Sequence, residues 1–114
     1  MEQMAGRDYL SALELIILLA LMRLRENAYG VSIAREIEES TGRRVALASV
    51  YATLDRLEFK GLVQSELGEA TLERGGRAKK YFQITTKGLR AVRQVRYELK
   101  SLWNRLPQLQ GEPT

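Results

Sequence analysis

The chain has 114 residues, enough for one domain with one modest core, and its 45% hydrophobic and 28% charged content is that of an ordinary globular protein. It has no cysteine and no histidine, which removes disulfides, thiolate nucleophiles, imidazole bases and the usual zinc sites together, and no Asp/Glu cluster suggests a carboxylate metal site. Lys plus Arg number 18 against 14 Asp plus Glu, a net +4 that suits nucleic acid or another anionic surface without establishing either.

The opening stretch MEQMAGRDYL lacks the cationic region, apolar run and small-residue cleavage site of a signal peptide. The longest apolar run, LIILLALM (Leu15 to Met22), falls short of the roughly 20 residues that span a bilayer. With the lack of cysteine, this leads us to expect a cytoplasmic protein with no membrane partner. Asp8 or Ser11 can cap a first helix running to about Arg25. Leu10, Leu13, Ile17, Leu21 and Leu24 form one stripe on it, while Leu15, Ile16, Leu18, Leu19 and Met22 put apolar groups on the other sides. A helix apolar nearly all round must be buried nearly all round. A second subunit is therefore expected over its outer side, the alternative being a central core helix.

ENAYG breaks the pattern, and a second helix follows from about Gly30 to Thr41, with Val31, Ile33, Ala34 and Ile37 turned inward and Gly42 placed to end it. The next loop carries adjacent Arg43 and Arg44. In LASVYATLDRLEFKGLV, the residues Leu47, Val50, Leu54 and Leu57 recur at helical spacing and define the core side of a third helix. Ala48, Ala52, Asp55, Arg56 and Phe59 fall opposite, Ser49, Tyr51, Thr53 and Lys60 lie on the flanks, and Gly61 can end the helix in a left-handed conformation. LVQSEL (Leu62 to Leu67) and YFQIT (Tyr81 to Thr85) read as the two strands of a hairpin, with Phe82 and Ile84 on one face. Its far end carries Arg74, Arg77, Lys79 and Lys80. Thr85 or Thr86 can cap a last helix to about Leu106, with Leu89, Val92, Val95, Leu99, Leu102 and Leu106 in rhythm, Trp103 beside them, and a strongly basic remainder. QLQGEPT reads as unstructured.

Three helices followed by a hairpin is the order of a winged helix-turn-helix: a mainly α fold with a small β-hairpin wing and, here, one further helix. A helix about 10–12 Å across fits the major groove of B-DNA if its inner stripe holds it and its outer face is small or polar. Ala48 and Ala52 are small, and an alanine methyl can touch a thymine methyl. Ser49, Tyr51, Thr53 and Arg56 can donate to phosphates or bases, and the basic hairpin can reach phosphates or the minor groove. We therefore expect double-stranded DNA as partner, with Arg44, Ser49, Tyr51, Ala52, Thr53, Arg56, Arg77, Lys79 and Lys80 as contacts. The surplus apolar surface of the first and last helices predicts a homodimer through Leu13, Ile16, Leu99, Leu102, Trp103 and Leu106.

Three stretches, AYGVSIAREIEESTGRRV, SVYATLDRLEFKGLV and ERGGRAKKYFQITTKG, resemble the PadR family of bacterial transcriptional regulators. The likeness spans roughly Leu10 to Leu106 and rests on a conjunction. Its parts are Tyr29-Gly30, Tyr51, Leu57-Glu58, Gly61-Leu62-Val63, Arg74-Gly75-Gly76-Arg77, Lys80-Tyr81, and Thr85 with Gly88. The resemblance implies a dimeric winged-helix repressor, dimerised through the last helix and often the first, of the small subfamily with one short C-terminal helix. It implies that Tyr51 is the recurrent recognition-helix tyrosine and that Arg77 and Lys79 are basic positions of the wing. Trp103 stands where several small members, drug-binding ones included, carry aromatics.

Two positions depart from the pattern: Ala46 replaces the usual Ser or Asn cap of the third helix, and Phe59 replaces a charged residue. The expected organisation is an N-terminal extension (1–9), a DNA-binding domain (10–86), a dimerisation helix (87–106) and a disordered tail (107–114). No cofactor or metal is expected, and no enzymatic device is found. Two other readings stand beside the repressor. One is a sensor binding aromatic small molecules at the dimer interface near Trp103; the other is a winged helix used only for protein interaction.

Overall fold

A computed structural model describes residues 9–68 and 78–110. Helix α1 (Ala12–Leu24) starts at Ser11, whose hydroxyl accepts from the Glu14 amide while the Glu14 carboxylate accepts from the Ser11 amide, a reciprocal capping box. A single 3-10 turn (Arg25–Asn27) leads to α2 (Gly30–Thr41), then α3 (Leu47–Phe59), β1 (Val63–Leu67), β2 (Lys80–Ile84), α4 (Thr86–Trp103) and a second 3-10 turn (Pro107–Leu109). Gly42 and Gly61 follow α2 and α3 at φ of 79° and 80°, the left-handed stops expected of them. Of the two candidate caps for each outer helix, Thr85 caps α4, its hydroxyl accepting from the Gly88 amide, and Ser11 caps α1; Asp8 lies outside the described residues. The last helix ends at Trp103, earlier than Leu106, and the tail begins with an ordered turn in which Leu109 is half-buried.

One core joins the parts. Ile17, Leu18 and Leu21 of α1 meet Ile33 and Ile37 of α2 and Val50, Leu54 and Leu57 of α3, with Leu62, Val63, Phe82 and Val92 closing the bottom. Leu47, expected on the core side, is exposed: it is the first residue of α3, and burial begins one turn later, at Val50. The antiparallel hairpin pairs Val63 with Ile84 and Leu67 with Lys80. Its second strand is tied on the other edge too: the Phe82 amide donates to the Ala28 carbonyl at 2.8 Å, and Tyr29 bridges Tyr81. The wing root is thus fixed from both sides.

Helix α4 is different. Only Gly88 and Val92 of it are buried, and from Arg96 to its end every residue is exposed. The radius of gyration, 16.1 Å, exceeds the roughly 13 Å of a well-rounded chain this long.

Candidate nucleic-acid interface

Helix α3 is held by one side only. Val50, Leu54 and Leu57 are fully buried, and Ala48, Ser49, Ala52, Asp55, Arg56 and Phe59 look outward. Ala46 has the extended backbone of a cap but supplies no side-chain bond, so the first amides of α3 stay uncapped from within the helix. Tyr51, half exposed, lays its ring across the start of α2. A Cβ on Gly30 would fall inside the van der Waals surface of the Tyr51 ring and hydroxyl. The Tyr29-Gly30 pair therefore serves a contact as well as a helix start: only glycine leaves room for the tyrosine.

Thr53 requires a correction. The helical pattern places it among the DNA contacts, but it is fully buried. Its hydroxyl is turned along the helix instead and accepts from Arg56 Nη2 at 3.1 Å.

Arg56 leads to a residue that sequence reasoning missed. Glu14, on the otherwise apolar α1, is 3% exposed. Its carboxylate takes the Ser11 amide at 2.8 Å, Lys60 Nζ at 2.9 and 3.1 Å, and lies 3.6 Å from Arg56 Nε. Burial pushes its pKa up, but the Ser11 amide and the charges of Lys60 and Arg56 outweigh that and hold it below the ordinary value. Lys60 also donates to the Tyr9 carbonyl. A lone acid inside an apolar helix was the available signal, since such a group must find partners when buried.

The basic positions around the helix fall into three groups. Arg44 is exposed and 3.5 Å from Glu38, a weak surface pair. Lys79 sets its ammonium 3.7 Å above the Tyr29 ring, which stands edge-on to Tyr81 at 5.6 Å, and Lys80 lies 5.7 Å from the Phe82 ring. Arg74 and Arg77 lie outside the described residues.

At the far end, α1 and α4 frame an apolar groove of about 810 Å³ lined by Leu15, Leu19, Leu99, Trp103, Leu106 and Leu109 among others. Leu99, Leu102, Trp103 and Leu106 are all exposed. Leu13, Leu15 and Ile16 are all half-buried against the core, and of the α1 residues it is Leu15 and the exposed Leu19 that line the groove. Among the described residues, no group of three or more acids, histidines or cysteines is placed to hold a metal, and no helix is long and apolar enough to cross a membrane.

Residues 18–94 match the PadR-like family of transcriptional regulators. Among solved structures, the chain is similar to a PadR-like transcriptional regulator from Bacillus cereus, at 27% identity over 88% of this chain and 93% of that one, TM-score 0.69. It is similar also to a PadR family regulator from Eggerthella lenta (30%, covering 89% of each chain, TM-score 0.66). A third likeness is to a PadR-like transcription factor from Bacteroides fragilis (27%, covering 85% of this chain and 88% of that one, TM-score 0.72). No curated protein matches the chain. Members of the matched family are transcription regulators, not enzymes. With two thirds of its length fitting the family and the three-helix, two-strand order shared with these regulators, the chain belongs to the PadR-like family of transcriptional regulators.

Proposed function

We propose that this protein is a cytoplasmic, sequence-specific DNA-binding repressor. It acts as a homodimer, with α3 in the major groove and the β1–β2 wing on the phosphate backbone. The observation that carries this reading is the one-sided anchoring of α3: a fully buried inner stripe against an outer face of Ala48, Ser49, Ala52 and Arg56. Small side chains let the helix come close, and polar ones have something to donate once there. Ser49, Tyr51, Ala52 and Arg56 read or position the duplex from the helix. Arg44, Arg77, Lys79 and Lys80 supply phosphate contacts around it. The dimer closes over the unburied apolar seam of α4, and a two-fold dimer would read an inverted repeat with half-sites about 34–36 Å apart.

The test is binding to DNA from upstream of the gene, against random DNA of equal length, at several salt concentrations. Preference for the upstream fragment with a steep salt slope is the expected result. Absence of binding to any DNA at low salt would instead favour a winged helix used for protein contacts.

The groove beside Trp103 supports a second, compatible reading, in which an aromatic small molecule stacks on the indole and shifts the dimer between two geometries. Trp103 is the single tryptophan, so its fluorescence reads that site alone. Quenching or a spectral shift across a panel of aromatic cations and phenolic acids is expected, and a flat response would remove the effector.

A further inference from the structure

We infer that Glu14 and Thr53 are positioning residues for DNA reading, which act by fixing the Arg56 guanidinium so that its outer edge faces the duplex. This rests on the DNA-reading role proposed above. Two sides of the guanidinium are already engaged. The Nε edge faces the Glu14 carboxylate at 3.6 Å, and Nη2 donates to the buried Thr53 hydroxyl at 3.1 Å. Both Nη1 hydrogens and the second Nη2 hydrogen carry no bond within the described residues, and the side chain is 56% exposed. A free arginine must give up rotamer entropy to present a planar fork. Arg56 has its fork set before DNA arrives. The anchors themselves are rigid: Thr53 is fully buried and Glu14 nearly so, and Lys60 pins the carboxylate through both oxygens.

The outward edge suits a pair of acceptor oxygens or nitrogens, found on the major-groove edge of guanine or on a phosphate. The two sources separate by experiment. Loss of a guanine contact lowers affinity for the upstream fragment more than for random DNA. Loss of a phosphate contact lowers both alike and reduces the salt slope by about one.

A double-mutant cycle on the full chain tests the role. Thr53→Val keeps the branched shape and deletes the acceptor; Glu14→Gln deletes the charge. Affinities for upstream and random duplexes are measured for each variant, alone and combined with Arg56→Ala. Each is expected to weaken DNA binding by about fivefold to tenfold when Arg56 is present, and by less than about twofold in its absence. Thr53→Ser, which restores the acceptor, should recover most of the loss. Equal losses with and without Arg56 would mean a purely structural role and overturn the inference, as would unchanged affinity in Thr53→Val. If Glu14→Gln does not fold, Thr53→Val and Thr53→Ser decide alone. A wild-type chain that binds no duplex overturns the DNA-reading role itself, an outcome distinct from normal wild-type binding with inert variants.

Discussion

Tyr51 and Gly30 belong to different helices and share one volume. An alanine at position 30 would suit the first turn of α2, but its methyl would collide with the far end of the Tyr51 side chain. That end can swing aside at low cost, so Gly30→Ala should leave stability within about 1 kcal/mol of the parent. It should nonetheless weaken operator binding, as Tyr51→Ala is expected to, because the ring is displaced from its seat. Melting and DNA titration of both variants check this; Gly30→Ala with full affinity would mean the seat is unimportant.

Glu14 makes a different kind of forecast. Its folded pKa lies below its ordinary value of 4.5, so its contribution is fully present above that value and drains away as pH falls through the lower, folded one. Glu14→Gln should cost about 1.5–3 kcal/mol at neutral pH. That difference should stay constant down to about pH 5 and shrink in more acid solution. Denaturation at a series of pH values measures it.

At the scale of elements, the sequence was readable wherever a local rule sufficed. Helical spacing gave α2 its bounds from Gly30 to Thr41, and glycines marked the ends of α2 and α3 because left-handed backbone favours them. Strand ends moved by a residue, from Leu62 to Val63 and from Thr85 to Ile84. What escaped was decided by neighbours. Thr53 and Leu47 sit about 60° to either side of Val50 on the helical wheel. Periodicity treats them as equals, yet the packing of the other elements buries Thr53 fully and leaves Leu47 exposed. Glu14 was hidden for the same reason: its partners Arg56 and Lys60 are more than forty residues away in sequence.

Two element-scale experiments follow from the capping and wing geometry. Ala46 already holds an extended cap conformation at φ −62° and ψ 139°, so Ala46→Ser should stabilise the fold by about 1 kcal/mol, seen as a raised melting temperature. Replacing Arg77, Lys79 and Lys80 by Ala should weaken specific and random DNA alike. The salt slope should flatten by about one for each phosphate that the wing no longer neutralises. An unmoved slope would take the wing off the backbone.

The whole molecule has an apolar seam without cover. Burying Leu99, Leu102, Trp103 and Leu106 against a second copy would gain the usual stabilisation of apolar area withdrawn from water. Leu102 is 76% exposed, so Leu102→Glu should leave the protomer folded while breaking the proposed dimer. Sedimentation is expected to show a single-chain mass, and operator affinity should fall by about tenfold or more as the two half-sites are engaged separately. A dimer that survives the change would place the contact elsewhere.

The double tether of β2 separates what the wing is from what it carries. With Phe82 bonded to Ala28 on one edge and the pairing with β1 on the other, the ends of the hairpin are set without help from the segment between them. Among the described residues, the anchoring of both strands is carried by bonds outside the span between Gly68 and Ala78. On the proposed reading, base preference in α3 and overall affinity from the wing's phosphate contacts then rest on separate anchors, exchangeable parts that selection or an engineer can retune one at a time.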